Sequence, residues 1–177
     1  MLKFYFNINF TIILFLTSIM FAKSAYADDW TIEKLNNRIM VSKNGEITHG
    51  DNLRFFITKN YCDELREIFT FYTTNNHSKI NDLKGKILTV SMNEYEVKSE
   101  VMFVLPFLLG HSAWFNMGRY KIDDHIEFFQ NTSLYELKIL NEGSFIATDY
   151  FDIPHNHWNI KDLKTNLKKG QKECEIL

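Results

Sequence analysis

Two histidines, His155 and His157, stand two positions apart beside Asp152 and Trp158 in the stretch YFDIPHNHW, residues 150–158. In an extended chain, side chains at i and i+2 share a face, so this pair could reach one metal ion. Zinc would need at least one more ligand, with Asp152, His125 and His111 as the candidates. No H-E-x-x-H or C-x-x-C spacing supports such a centre. A polar corner is the more economical reading: the chain passes from sheet to helix, Asn and His satisfy its backbone groups, and Trp158 closes the edge of the core. No cofactor is called for.

A second cluster, Asp123-Asp124-His125 in IDDHIEFF, holds the residue types of a general acid–base pair. On a strand, neighbours such as Asp124 and His125 would point to opposite faces, so a solvated turn is expected. No G-x-S-x-G elbow and no glycine-rich phosphate loop occurs. The aromatic pairs Trp114-Phe115 and Phe128-Phe129 supply Trp114, Phe115 and Phe129 as candidates to line an apolar ligand pocket, although strand aromatics more often build the core.

The ends of the chain bear on its compartment. Lys3 precedes the apolar run FTIILFLTSIMFA (10–22), and Ala25-Tyr26-Ala27 forms an A-x-A site before Asp28. This is the pattern of a secretory signal peptide over residues 1–27. Its apolar run falls short of the about 20 residues that a membrane span needs. The segment 101–110 is strand-sized and broken by Pro106, so no transmembrane segment is expected after cleavage. Of 177 residues, 150 then remain (28–177), enough for one β-rich domain. Loss of Lys3 and Lys23 leaves 18 basic against 22 acidic residues, a net charge of about −4. That balance offers no overall footprint for nucleic acid. In an oxidising compartment the two cysteines, Cys62 and Cys174, read as a disulfide across 112 positions.

Alternation with period two dominates from Trp30 onward. WTIEKL and RIMVSK flank a turn at Asn36-Asn37, and Asn44-Gly45 marks another. EITHGDNLRFFITK, EIFTFYTT and GKILTVSMN read as strands, with turns at 75–78 and near Gly85. YCDELREIF is ambiguous between a short helical turn and a loop. EVKSEVMFVLPFLLG and HSAWFNMGRYKI form a strand pair, with Pro106 at a bulge or an edge. DDHIEFFQN suits a strand or a turn. SLYELKILNEGSFIATDYFDI reads as the clearest hairpin, around Asn141-Glu142-Gly143. After Pro154 the period lengthens: Ile160, Leu163, Leu167 and Cys174 share one helical face and Lys161, Lys164, Lys168 and Lys172 the opposite one. Asn159 is the expected N-cap, with Asp162 completing a capping box. Eight to ten strands and one C-terminal amphipathic helix predict a mainly β fold, an antiparallel β-sandwich or barrel.

The stretches VLPFLLGHSAWFNMGRYKIDD and YFDIPHNHWNIKDLKTNLKK resemble the second half of the invasion-associated locus B family of secreted bacterial proteins. The resemblance covers roughly residues 100–170 and implies a periplasmic or surface β-sandwich without an established catalytic centre. It transfers no functional residue. The expectation is therefore a secreted, periplasmic domain that acts as a binding or envelope-associated protein, with an envelope component or a protein as its partner. A carrier of a small apolar ligand and a metal-dependent hydrolase built on the histidines are the alternatives.

Overall fold

A computed structural model of the chain describes residues 30–74 and 77–177. The expected signal peptide and its cleavage site lie outside these residues, as do Asn75 and Asn76. The described residues hold β1 (Thr31–Leu35), β2 (Arg38–Asn44), β3 (Asn52–Thr58), β4 (Tyr61–Thr73), β5 (Ile87–Met92), β6 (Tyr95–Phe107), β7 (Gly110–Lys121), β8 (Leu134–Ile139) and β9 (His155–Asn159). Two helices accompany them, α1 (Ile122–Phe128) and α2 (Leu163–Glu175), with short helical turns at His77–Ile80, Asn81–Leu83 and Ala147–Asp149.

The strands form one antiparallel sheet in the order β1-β2-β3-β4-β7-β6-β5-β8-β9. Two meanders, β1 to β4 and β5 to β7, meet at the long β4–β7 pair. The sheet bends round far enough that β9, at one end of the order, meets the loop between β2 and β3 near the other. There the Glu46 N–H donates to the carbonyl of His157 at 3.1 Å. Asp51 and Asn156 seal this seam from within. The Asp51 carboxylate accepts from the backbone N–H of Tyr72 at 2.6 Å and from Asn156 Nδ2 at 2.7 Å. Asn156 Oδ1 in turn accepts from the backbone N–H of Ile47 at 3.0 Å.

The concave side is the core. Alternate residues of β3 (Leu53, Phe55, Ile57), β4 (Leu65, Phe69, Phe71) and β8 (Tyr135, Leu137, Ile139) are buried there, as strand alternation requires. Phe69 stacks on Phe115 at 4.5 Å between ring centres. Helix α2 closes the concavity over β2 and β3 with Leu163, Leu167, Gly170 and Cys174. Gly170 is the point of closest approach: a Cβ there would stand 2.6 Å from Val41 Cγ2 and 3.1 Å from Ile57 Cδ1. The Cys62–Cys174 disulfide ties the end of α2 to the start of β4.

The mainly β antiparallel fold with a closing C-terminal helix is as the alternation indicates; five local expectations change. YCDELREIF is the first part of β4, because Asn60 takes the positive φ (73°) of a tight turn and restarts a strand at once. DDHIEFFQN is mostly helical, as α1. The run after Asn141 does not return as a strand; it makes an isolated bridge, Glu142 to Phe145, and a helical turn. The strand beside β8 is instead β9, so the opening stretch is a sheet edge and not merely a corner. Asn159 is consequently not the N-cap of α2, which begins at Leu163; its Oδ1 accepts from the Lys161 N–H at 3.1 Å. Pro106 lies past the end of β5, where β6 is an edge, while the β6–β7 bulge falls between Val101 and Phe103.

Candidate functional site

The sheet has two faces with separate chemistry. On the inner face, Glu67 of β4 is fully buried among Leu65, Phe69 and Tyr135. It sits at a bulge: Glu67 opposes Gly118 and Ile68 opposes Asn116, leaving Met117 as the extra residue of β7. Gly118 has φ +125°, a conformation that L side chains rarely adopt. Just past the bulge, half-exposed Tyr120 donates its O–H to the Met117 carbonyl at 2.7 Å. Helix α1 follows at once and lays His125, also buried, beside the carboxyl.

Tyr135 of β8 donates its O–H to Glu67 Oε1. The other carboxyl oxygen, Oε2, stands 3.9 Å from His125 Nε2, and among the described residues neither atom has a hydrogen-bond partner. Burial dominates the ionisation of both groups. It raises Glu67 from 4.5 to about 7, against the lowering effect of the Tyr135 hydrogen bond, and it lowers His125 from 6.5 to about 4. Desolvation and the Glu67 charge also push the Tyr120 and Tyr135 hydroxyls up. At neutral pH the imidazole is therefore uncharged and the carboxyl is poised near its midpoint. A recess of about 210 Å³ opens over these groups, lined by Glu67, Met92, Tyr120, Asp124, His125, Phe128 and Phe129.

On the outer face, Arg54 lies over the Trp114 ring at 4.5 Å and donates to Thr70 Oγ1 at 3.0 Å. Desolvation lowers the Arg54 guanidinium to about 10. Arg38, Arg66 and Arg119 line a shared groove of about 300 Å³ with Phe56, Tyr61 and Ile68. Glu64 at its edge is paired with Lys121 at 3.0 Å. Arg66 and Arg119 are direct cross-strand partners, an arrangement of like charges that a sheet does not favour by itself. Next to Trp114 on β6, Phe103, Leu105 and Phe107 are exposed, and the hairpin ends in Leu108 and Leu109, 82% and 88% exposed. Leu108 takes the left-handed φ of 51° at the turn.

The residues singled out in the sequence disperse over this frame. Of Trp114, Phe115 and Phe129, only Phe129 lines the inner recess; Phe115 is packed in the core, and Trp114 projects from the opposite face. His155 is exposed on edge strand β9, and His157 pairs with Glu46 at 3.2 Å. Asp152 accepts from the N–H and hydroxyl of Thr74 at 2.7 and 2.9 Å. His111, the second residue of β7, stands opposite Thr73, remote in the sheet from β9, and His125 is on the buried side of α1. No three metal-ligating side chains gather into a site among the described residues. The solvated turn expected at Asp123-Asp124-His125 is corrected: helical geometry puts Asp123 outward, where Lys168 of α2 pairs with it at 2.6 Å, and turns His125 inward.

Glu67 and the four arginines carry no sequence motif. Glu67 falls at an inward position of an alternating strand, between Leu65 and Phe69, and that parity was its one signal. Comparison with protein-family models, curated proteins and solved structures returned no match.

Proposed function

We propose that the protein is an exported, disulfide-stapled β-domain that acts without catalysis at the envelope, docking on an anionic lipid surface through the tip of the β6–β7 hairpin. The observation that carries this reading is the outer face itself. Its apolar end, Phe103 to Leu109, contains no charged side chain; Arg54 lies over Trp114, the cross-strand partner of Phe103, and Arg38, Arg66 and Arg119 line the groove farther along the same face. Two freely exposed leucines at a hairpin tip are costly in water; removing one from water is worth about 1.5–3 kcal/mol. The pair thus offers about 3–6 kcal/mol, the range of reversible membrane association. Arginines suit phosphate head groups, because the guanidinium fork matches phosphate geometry.

Export rests on the signal-peptide pattern at residues 1–27 and agrees with a disulfide as the use of both cysteines. No helix among the described residues is long and apolar enough to cross a membrane. Membership of the invasion-associated locus B family belongs to the same proposal and rests on the two stretches that resemble it.

Co-sedimentation with vesicles tests the reading. The protein should bind vesicles rich in phosphatidylglycerol more than neutral ones, and lose about tenfold or more in affinity on Leu108→Ser/Leu109→Ser substitution. Equal, weak recovery with all vesicles and both proteins would dismiss the lipid surface and leave a protein partner for this face.

A further inference from the structure

Three of the four arginines form a site of their own at the far end of the outer face. Arg119 stands nine positions along β7 from Gly110, so at about 3.3 Å per residue the groove lies about 30 Å from the hairpin tip. Its chemistry is independent of the docking of that tip. Phe56, Arg66 and Arg119 are neighbours across three adjacent strands, β3, β4 and β7. Arg38 of β2 lies over the Phe56 ring at 5.8 Å and brings a third guanidinium to the same groove. Arg66 is held in place: its Nε donates to Asn116 Oδ1 at 3.0 Å and its Nη2 to Met102 Sδ at 3.0 Å, which leaves Nη1 for a ligand. Arg38 and Arg119 are exposed. Among the described residues none of the three has a carboxylate in ion-pair contact, and the one carboxylate of the lining, Glu64, is taken by Lys121 at 3.0 Å.

Arg66 directly opposite Arg119 is unfavourable unless an anion bridges the two. Each guanidinium fork matches two oxygens of a phosphate. Three positive charges favour a dianion over a monoanion, and a phosphate monoester carries close to two negative charges at neutral pH and above. A groove of about 300 Å³ equals the volume of about ten waters at about 30 Å³ each, more than a phosphate group fills. Aromatic surface adjoins the guanidiniums at Phe56 and at Tyr61, which is 59% exposed. We propose that this groove binds a phosphate monoester of a small ring alcohol, with the phosphate among Arg38, Arg66 and Arg119 and the ring against Phe56 and Tyr61. A soluble ester and a lipid ending in a phosphate monoester present the same chemistry; the distance from the tip favours the soluble source.

Calorimetric titration with phenyl phosphate at pH 8 tests the site, in about 0.15 M salt so that diffuse attraction is screened. Phenyl phosphate should bind about tenfold more tightly than benzenesulfonate, a monoanion of like shape, and severalfold more tightly than inorganic phosphate, which lacks the ring. Arg119→Gln and Arg38→Gln, both at exposed side chains, should each lower the affinity about tenfold, as loss of a charge-assisted hydrogen bond requires. Tyr61→Ser should remove the advantage of phenyl phosphate over inorganic phosphate. Leu108→Ser/Leu109→Ser should leave all three affinities unchanged, which separates this site from the docking tip. Recovery of Arg119→Gln on vesicles containing phosphatidic acid should match that of the parent; a loss as large as that for phenyl phosphate would overturn the soluble source and give the groove to a lipid phosphate. Equal affinity for phenyl phosphate and benzenesulfonate, no effect of either arginine substitution, or no uptake of phenyl phosphate would each overturn the proposal.

Discussion

Glu67 shows how much one buried side chain can govern. A carboxyl raised in the folded state holds its proton over a pH range in which the unfolded chain has lost it. Its stabilising contribution is therefore full below the unfolded value and falls as pH rises from about 4.5 to about 7. Asp51, raised by burial from 3.8 to about 7, acts in the same direction. His125 acts in the opposite one: it stays neutral until about pH 4, so stability is lost as pH falls from 6.5 toward that value. Two carboxyls outweigh one imidazole, and the fold should become less stable as pH rises between about 4.5 and 7. At 1.36 kcal/mol per pH unit, the Glu67 share is about 3 kcal/mol. Glu67→Gln retains an oxygen acceptor for the Tyr135 hydroxyl and cannot ionise. It should raise stability at pH 8 by about 1–3 kcal/mol and reduce the pH dependence, read as urea midpoints from pH 4 to 8. An identical pH profile in the variant would mean that Glu67 is not the buried charge described.

At the scale of elements, helix α2 is held by close packing and by one covalent link. Gly170→Ala sets two effects against each other. Alanine gains about 1 kcal/mol in helix propensity, but its Cβ would press on Val41 at 2.6 Å, a β-branched side chain with little freedom to move. Overpacking costs about 1–3 kcal/mol, so the variant should lose about 1 kcal/mol or more; a gain would show that α2 has room to shift. Replacing Cys62 and Cys174 by serine should cost about 2–5 kcal/mol, seen as a lower denaturant midpoint, and an unchanged midpoint would deny the link its role. These elements differ in how well the sequence reveals them. The disulfide, the amphipathic face of α2 and most strands follow from cysteine count and hydrophobic period, which are local signals. β9 was hidden because its buried positions, Asn156 and Trp158, alternate with histidines and not with an obvious apolar run. α1 was hidden because seven residues hold too few turns to show a helical period. The recess draws on β4, β5, β7 and α1, so only the long-range pairing of β4 with β7 and the bulge at Glu67 bring it together.

For the whole molecule, one bent sheet separates two kinds of surface. Its concave side is packed, apart from the recess over Glu67; its convex side carries arginines and ends in exposed leucines. The packed side explains stability. The open side is what the proposed docking uses: on a lipid surface its hairpin tip would leave water. The central claim is that this tip enters lipid, and the direct measurement places a reporter there. Leu108→Trp, added to vesicles of anionic lipid with brominated acyl chains, should show fluorescence quenched well beyond that of the parent protein, with a shift of its emission to the blue. Quenching no greater than the parent's, together with emission that stays at its aqueous wavelength, would contradict the claim.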